Sequence, residues 1–304
     1  MKKYIILVGI VLLFLLVSCT NQEKNLNEQE DIRDKIISGG PPKDGIPSID
    51  KPTFVSVDEA DEWIEDNELV LALEYNNEKR VYPLQIMVWH EIVNDEINNE
   101  PILITYCPLC GSGIAYIREI DGEEVEFGTS GKLFNSNLVM YDRKTESYWT
   151  QIDGRAIVGE LTGMELESIS IDTVTWRDWK KHNDSKVLSQ DTGFNREYGR
   201  DPYGNYYEDS FLFFPVENED DRVHAKNVVF GIEINGEYKA YKEDDLIELE
   251  EIQDVVDGVN VKIERRDDGV VMVTNLDSEE EIVKERDFWF AWYAFHPNTS
   301  LYEK

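Results

Sequence analysis

Two alternating runs joined by Asn76-Asn77, in LVLALEYNNEKRVYPL, constrain this chain more than any other feature. Strict alternation turns one face of a strand toward a core, and an Asn-Asn pair tolerates the positive φ of a tight turn. A β-hairpin is therefore expected over this stretch. The pattern continues as PLQIMVWHEIVND, where Pro83 suits the first position of a helix. Leu84, Met87, Val88 and Ile92 recur there at helical spacing. PILITYC follows as a strand of β-branched and aromatic residues, and GIAYIREIDGEEVEFG reads as a second hairpin turning at Asp121-Gly122.

Residues 227–273 echo residues 69–119. NVVFGIEINGEYKAYKEDDLIE repeats a hairpin with an Asn-centred turn, then a Tyr before a helix, and VVDGVNVKIERR repeats a short turn and strands. The later copy has no cysteine or histidine in the corresponding segments. The expected fold class is α+β and mainly β, a duplicated hairpin–helix–strand unit with antiparallel sheets and short helices. The two copies are placed at about 69–160 and 227–304, inside one domain spanning 44–304. Between them, TVTWRDWKKHNDSKVLS predicts a helix capped by Thr173 or Thr175. VSVDEADEWIEDN, ahead of the first hairpin, predicts a short amphipathic helix. The carboxyl end, RDFWFAWYAFHPNTSLY, is too aromatic for a free tail and is expected to pack as strand or helix.

The amino terminus, MKKYIILVGIVLLFLLVSC, has two lysines and an apolar run over residues 4–17 that suits a secretory signal. Its end, Leu16-Val17-Ser18-Cys19, resembles the lipobox of bacterial lipoproteins. That resemblance implies a signal peptide over 1–19, a lipid on Cys19 and an extracytoplasmic protein held on the cell membrane. Residues 20–43 are polar, charged or proline-rich and read as a flexible tether. The chain carries 30 basic against 63 acidic residues, a net charge of −33. Such a surface repels polyanions, so nucleic acid is excluded as a partner. With Cys19 lipidated, only Cys107 and Cys110 remain, in a compartment that permits disulfides.

Together these segments resemble a family of uncharacterised proteins, domain of unknown function 3179. The likeness runs from about residue 44 to 302 and is carried by DGIPSID, VYPLQIMVWHEIVND, ITYCPLCGSGIAY, FGTSGKLFNSNLVMYDRKTESYWTQIDGRAIVG, TWRDWKKH and KVLSQDTGFNREYGRDPYGNYY. The family supplies no agreed activity. Some of its members look like selenoproteins with selenocysteine at a motif cysteine, which by analogy favours redox chemistry at Cys107 and Cys110.

ITYCPLCGSG admits three readings. In the first, Cys107 attacks, Cys110 resolves and His90 accepts a proton, with a thiol or disulfide protein as the exchange partner. That reading expects both sulfurs reachable at the mouth of a β-rich body. In the second, Cys107, Cys110 and His90 hold zinc or copper(I), because CPLCG resembles the knuckle of zinc ribbons and rubredoxin-like sites. In the third, the thiols are packing residues of a lipid-tethered binding module. A substrate anion would find Ser130, Lys132 and Arg143 in SGKLFNSNLVMYDR, set against the plainer reading of a turn with a structural Asp142–Arg143 pair. Tyr106, Tyr116, Trp149, Trp176 and Trp179 are expected to line the core. Such an aromatic wall raises a thiol's pKa unless His90 or Lys132 supplies positive charge.

Overall fold

The computed structural model describes residues 32–304. The expected signal peptide and the expected lipidation site Cys19 lie outside the described residues. The fold is mainly β with a few short helices, in several largely antiparallel sheets. The first hairpin joins Leu69–Tyr75 to Glu78–Pro83, with Asn76 and Asn77 at φ 48° and 63° as the turn requires.

The helix after Pro83 is shorter than its apolar spacing predicts. It covers Leu84–His90, with Pro83 as its N-cap, and stops where Glu91 turns left-handed at φ 59°. The next residues, Ile92–Ile97, form a strand paired with Glu100–Cys107. Periodicity misplaced this boundary because strand pairing of Ile92 with Thr105 overrides a helical pattern that would have carried on. The amphipathic segment after residue 55 likewise keeps only Val57–Ala60 as helix, closed by a Ser56–Glu59 capping box. The turn at Asp121-Gly122 joins only two-residue strands, whereas Ser112–Ile117 pairs with Glu100–Cys107.

The element order of the first unit recurs at a constant shift of 159 residues, Leu69 corresponding to Val228. Val228–Ile234 and Glu237–Lys242 form a hairpin, Glu243–Leu249 a seven-residue helix, and Glu250 turns left-handed at φ 61°. Three antiparallel strands follow, Glu251–Val256, Val259–Arg265 and Val271–Asn275. The likeness reaches side chains. Tyr82 donates its hydroxyl to Asp95 at 2.6 Å, and Tyr241 to Asp254 at 3.0 Å. Each hairpin also gains a third antiparallel strand, Asp172–Thr175 or Lys284–Phe288, that leads into a short helix. Those helices bury Trp176 and Trp179, or Trp289 and Trp292. Trp179 bonds Ser185 at 3.0 Å and Trp292 bonds Thr299 at 2.9 Å. Thr175, not Thr173, caps the first of them. A parallel strand then closes each sheet, Lys186–Leu188 on Glu78–Pro83 and Ser300–Leu301 on Glu237–Lys242.

The first unit carries an insertion that the second lacks, built on the long hairpin Phe127–Phe134 and Asn137–Asp142. Ile37–Ser38 adds to its edge, so the described part of the expected tether is docked on the fold. A hydrophobic core between this insertion and the cysteine-bearing sheet holds Cys107, Cys110, Trp149, Phe127 and Tyr116. All five expected core aromatics are buried, Trp176 and Trp179 in a separate cluster. Among the described residues no helix is long and apolar enough to cross a membrane.

Candidate functional site

Cys107 ends one strand and faces Ser112, which begins the next, so CPLCG is a hairpin loop. The loop is tight. The Cys110 N–H donates to the Cys107 carbonyl at 3.1 Å, and Gly111 takes φ 62°. A side chain at Gly111 would meet the Phe288 ring at 2.9 Å, so glycine is required both by conformation and by close approach. This geometry brings the two sulfurs to 3.2 Å, and neither belongs to a disulfide.

The sulfurs are not reachable at a mouth, as the sequence led us to expect. Cys107 is 1% and Cys110 0% exposed. Polar groups nevertheless touch them. The tip of the inserted hairpin, where Asn135 and Ser136 both have positive φ, sets the Ser136 carbonyl 3.6 Å from Cys110 Sγ and 4.0 Å from Cys107 Sγ. The Asn137 amide donates to Cys110 Sγ at 3.5 Å and to Gln151 at 2.8 Å, and Gln151 donates on to Thr105 at 3.0 Å. Burial, reinforced by Cys107, pushes the Cys110 thiol well up, so it is held protonated.

Two cavities flank the loop. A cleft of about 630 Å³ reaches Tyr106, Gly111, Tyr207, Arg286 and Phe288. A smaller cavity of about 230 Å³ reaches Leu109, Glu91, Lys132 and Tyr203. One irregular segment, residues 189–227, closes over both. It contributes Asp201 and Tyr207 to the first and Tyr203 and Phe214 to the second. Tyr206 fastens it to the loop by donating to the Leu109 carbonyl at 2.9 Å. Lys226 lies 3.4 Å from the centre of the Tyr206 ring and donates to the carbonyls of Tyr206 and Phe211.

His90 does not join the sulfurs. Its Nδ1 bonds the Pro47 carbonyl at 2.7 Å and its Nε2 the Tyr198 hydroxyl at 2.6 Å. Burial pulls it down to about 4, so it is a neutral ring with both nitrogens engaged. A tetrahedral zinc site would need two donors besides the sulfurs. The sulfurs' polar neighbours are a carbonyl and an amide N–H, and the latter donates rather than ligates. Among the described residues no group of three or more His, Cys, Asp and Glu can hold a metal ion. The structure does not gather the Cys107–Cys110–His90 set that the metal reading expects.

Ser130, Lys132 and Arg143 are likewise not gathered on one ligand. Ser130 donates to the Val139 carbonyl at an irregularity of the hairpin register. Arg143 is held by Asp50 at 2.8 Å and Glu126 at 2.7 Å, with Ser48 on its other nitrogen at 2.8 Å. Asp142 is not its partner. Asp142 instead accepts from Thr145, Ser147 and the Trp149 indole to close the turn after its strand. Lys132 alone faces a cavity.

Two carboxylates escaped the sequence reading. Glu91 is 6% exposed, and burial pushes its carboxyl up to about 8, opposed only by the Tyr203 hydroxyl at 3.5 Å. Asp287 is fully buried beside the cysteine loop. In a chain with 63 acidic residues, neither stood out by type. The left-handed turn after the helix, shared with Glu250, was the only local hint for Glu91.

A family described as a protein of unknown function (DUF3179) matches residues 43–299. No curated protein and no solved structure matches the chain.

Proposed function

The chain belongs to the DUF3179 family of proteins of unknown function, and we propose that it is an extracytoplasmic, lipid-anchored, thiol-dependent redox protein. Its working group is the Cys107–Cys110 pair. The observation that carries this reading is the contact of the two sulfurs at 3.2 Å in a glycine-hinged loop between two cavities. Small side-chain rotations close that gap to the ~2.0 Å of a bond. Cys107 attacks an external disulfide and releases one thiolate. Cys110 then loses its proton and displaces the second, so the pair is oxidised and the partner leaves as two thiols. Protected Cys110 suits the resolving role. Access requires segment 189–227 to part from the loop. We read the recurrence of elements as a duplication in which only the first copy keeps the thiols.

The burial of both sulfurs is the observation that favours the competing reading, two thiols that fill a core. One experiment separates the two. The full chain, with and without Cys19→Ser, is equilibrated in graded dithiothreitol buffers and its free thiols are trapped and counted. The redox reading expects a single two-electron transition that Cys107→Ser or Cys110→Ser abolishes. It also expects Tyr206→Phe, which removes the clasp on Leu109, to react faster than wild type. A pair that stays reduced in every buffer while the protein stays folded overturns it. Lipid anchoring through Cys19 is tested alongside, since Cys19→Ser should move the protein from the membrane fraction to the supernatant.

A further inference from the structure

The strand Lys284–Phe288 crosses the cysteine loop, and the Phe288 N–H donates to the Cys110 carbonyl at 2.8 Å. Alternation along this strand divides its charges. Lys284 and Arg286 are spent on carboxylates elsewhere, Asp172 at 2.8 Å and Glu243 at 3.0 Å. Glu285 and Asp287 occupy the intervening positions. Asp287 is 0% exposed and neither of its oxygens has a hydrogen-bond partner, nor does Oε2 of Glu285. A buried carboxylate without a partner is costly, and a structure that retains one needs a reason.

The molecule contains its own control. Asp287 pairs with Val229, and the residue in the same register of the first unit is Val174, which pairs with Val70. Val174 is 3% exposed and packs in a core. The fold therefore builds this position well with a valine. The difference is what lies beneath, since of these two corresponding strands the one at 284–288 is bonded to Cys110.

Resting on the dithiol reading above, we infer that Asp287 is the proton acceptor for Cys110, taking the thiol proton as the disulfide closes and returning it on reduction. The groups around it are consistent with a carboxyl poised to exchange a proton. Glu285 and Arg286 flank it on its own strand, Asp153 adds negative charge, and Ser112, Tyr116 and the two cysteines lie on the hairpin below. Val229 faces it from the neighbouring strand. Burial raises it to about 7, and the Asp153 charge adds to the rise. In the exchange, Cys110 attacks the Cys107 sulfur of the mixed disulfide and displaces the partner's sulfur. The Cys110 proton moves to Asp287, the new bond forms between Sγ atoms, and the partner departs as a thiolate that is later protonated from solvent.

The test is the closure rate of the Cys107 mixed disulfide, formed on the full chain with oxidised glutathione and followed from acid to alkaline pH. Wild-type closure should rise with pH through about 7. Asp287→Asn should close roughly 100-fold more slowly at neutral pH, the ordinary range for loss of a positioned base, and should rise only where the free thiol ionises. Asp153→Asn keeps the acceptor and removes a repelling neighbour, so its profile should move to lower pH. An Asp287→Asn profile superimposable on wild type, or an unmoved Asp153→Asn profile, overturns the assignment while leaving the dithiol reading standing. A wild-type chain that never closes the bond overturns both.

Discussion

Replacing Glu91 by glutamine should stabilise the protein at neutral pH and do almost nothing at acid pH. The carboxyl sits inside the small cavity, 6% exposed, with only the Tyr203 hydroxyl at 3.5 Å, and burial raises it to about 8. In the unfolded chain a glutamate titrates near ~4.3. Between those values the unfolded state ionises while the folded state holds the proton, so the folded state binds more protons and stability falls as pH rises. The contribution is complete below about pH 4 and lost once pH passes about 8. At ~1.36 kcal/mol per pH unit, the loss between pH 5 and 7 is about 3 kcal/mol, and the whole window holds at most about 5. Glutamine keeps the shape and does not titrate. Urea unfolding of both proteins, followed by tryptophan fluorescence at several pH values, should show the advantage of Glu91→Gln growing by about 3 kcal/mol from pH 5 to 7. Glu250→Gln, at the corresponding exposed position, should show no such growth. A Glu91→Gln advantage that is constant across pH would refute the reasoning, because it would mean the carboxylate is already ionised and paired in the fold.

Two further predictions concern the joints of the architecture. Lys284 and Asp172 form a buried pair at 2.8 Å that ties the second unit to the first, and Asp172 also accepts from the Val271 N–H at 2.9 Å. Lys284→Met should cost about 3–5 kcal/mol by stranding the carboxylate, and adding Asp172→Asn should recover much of it; a double variant as unstable as the single one would count against this. The two tyrosine–aspartate bonds should differ in weight. Tyr82→Phe leaves Asp95, 4% exposed, with one fewer donor and should cost about 2 kcal/mol by thermal or urea unfolding. Tyr241→Phe should cost about half that, because Asp254 also pairs with Lys239 at 2.5 Å. Equal losses would mean that the salt bridge contributes nothing.

Much of the frame was legible because it is written in local chemistry. Asn76-Asn77 announces its turn through backbone tolerance, Thr173 and Thr175 announce a helix start through their hydroxyls, and the recurrence of residues 69–119 at 227–273 is visible as repeated order. The helix after Pro83 was read too long, since nothing in Ile92 to Asp95 says that they will pair with a strand beyond the next turn. His90 looked like a base from its place beside the cysteine strand. Its nitrogens are claimed by Pro47 and Tyr198, 43 and 108 residues away, and no spacing rule reaches that far. Arg143 looked free or paired with its neighbour, and its partners Asp50 and Glu126 are fixed by how the chain folds back.

The division follows from the range of the forces. Alternation, turn tolerance and capping act within a few residues, so the sequence alone determined the β-rich class, the repeated unit and the tight loop that holds two thiols together. Burial, proton affinity and partner choice depend on what another part of the chain lays on top. Only the tertiary structure decided that the sulfurs lie buried beneath segment 189–227, that His90 is neutral and occupied, and that Glu91 and Asp287 are carboxyls removed from water beside the loop.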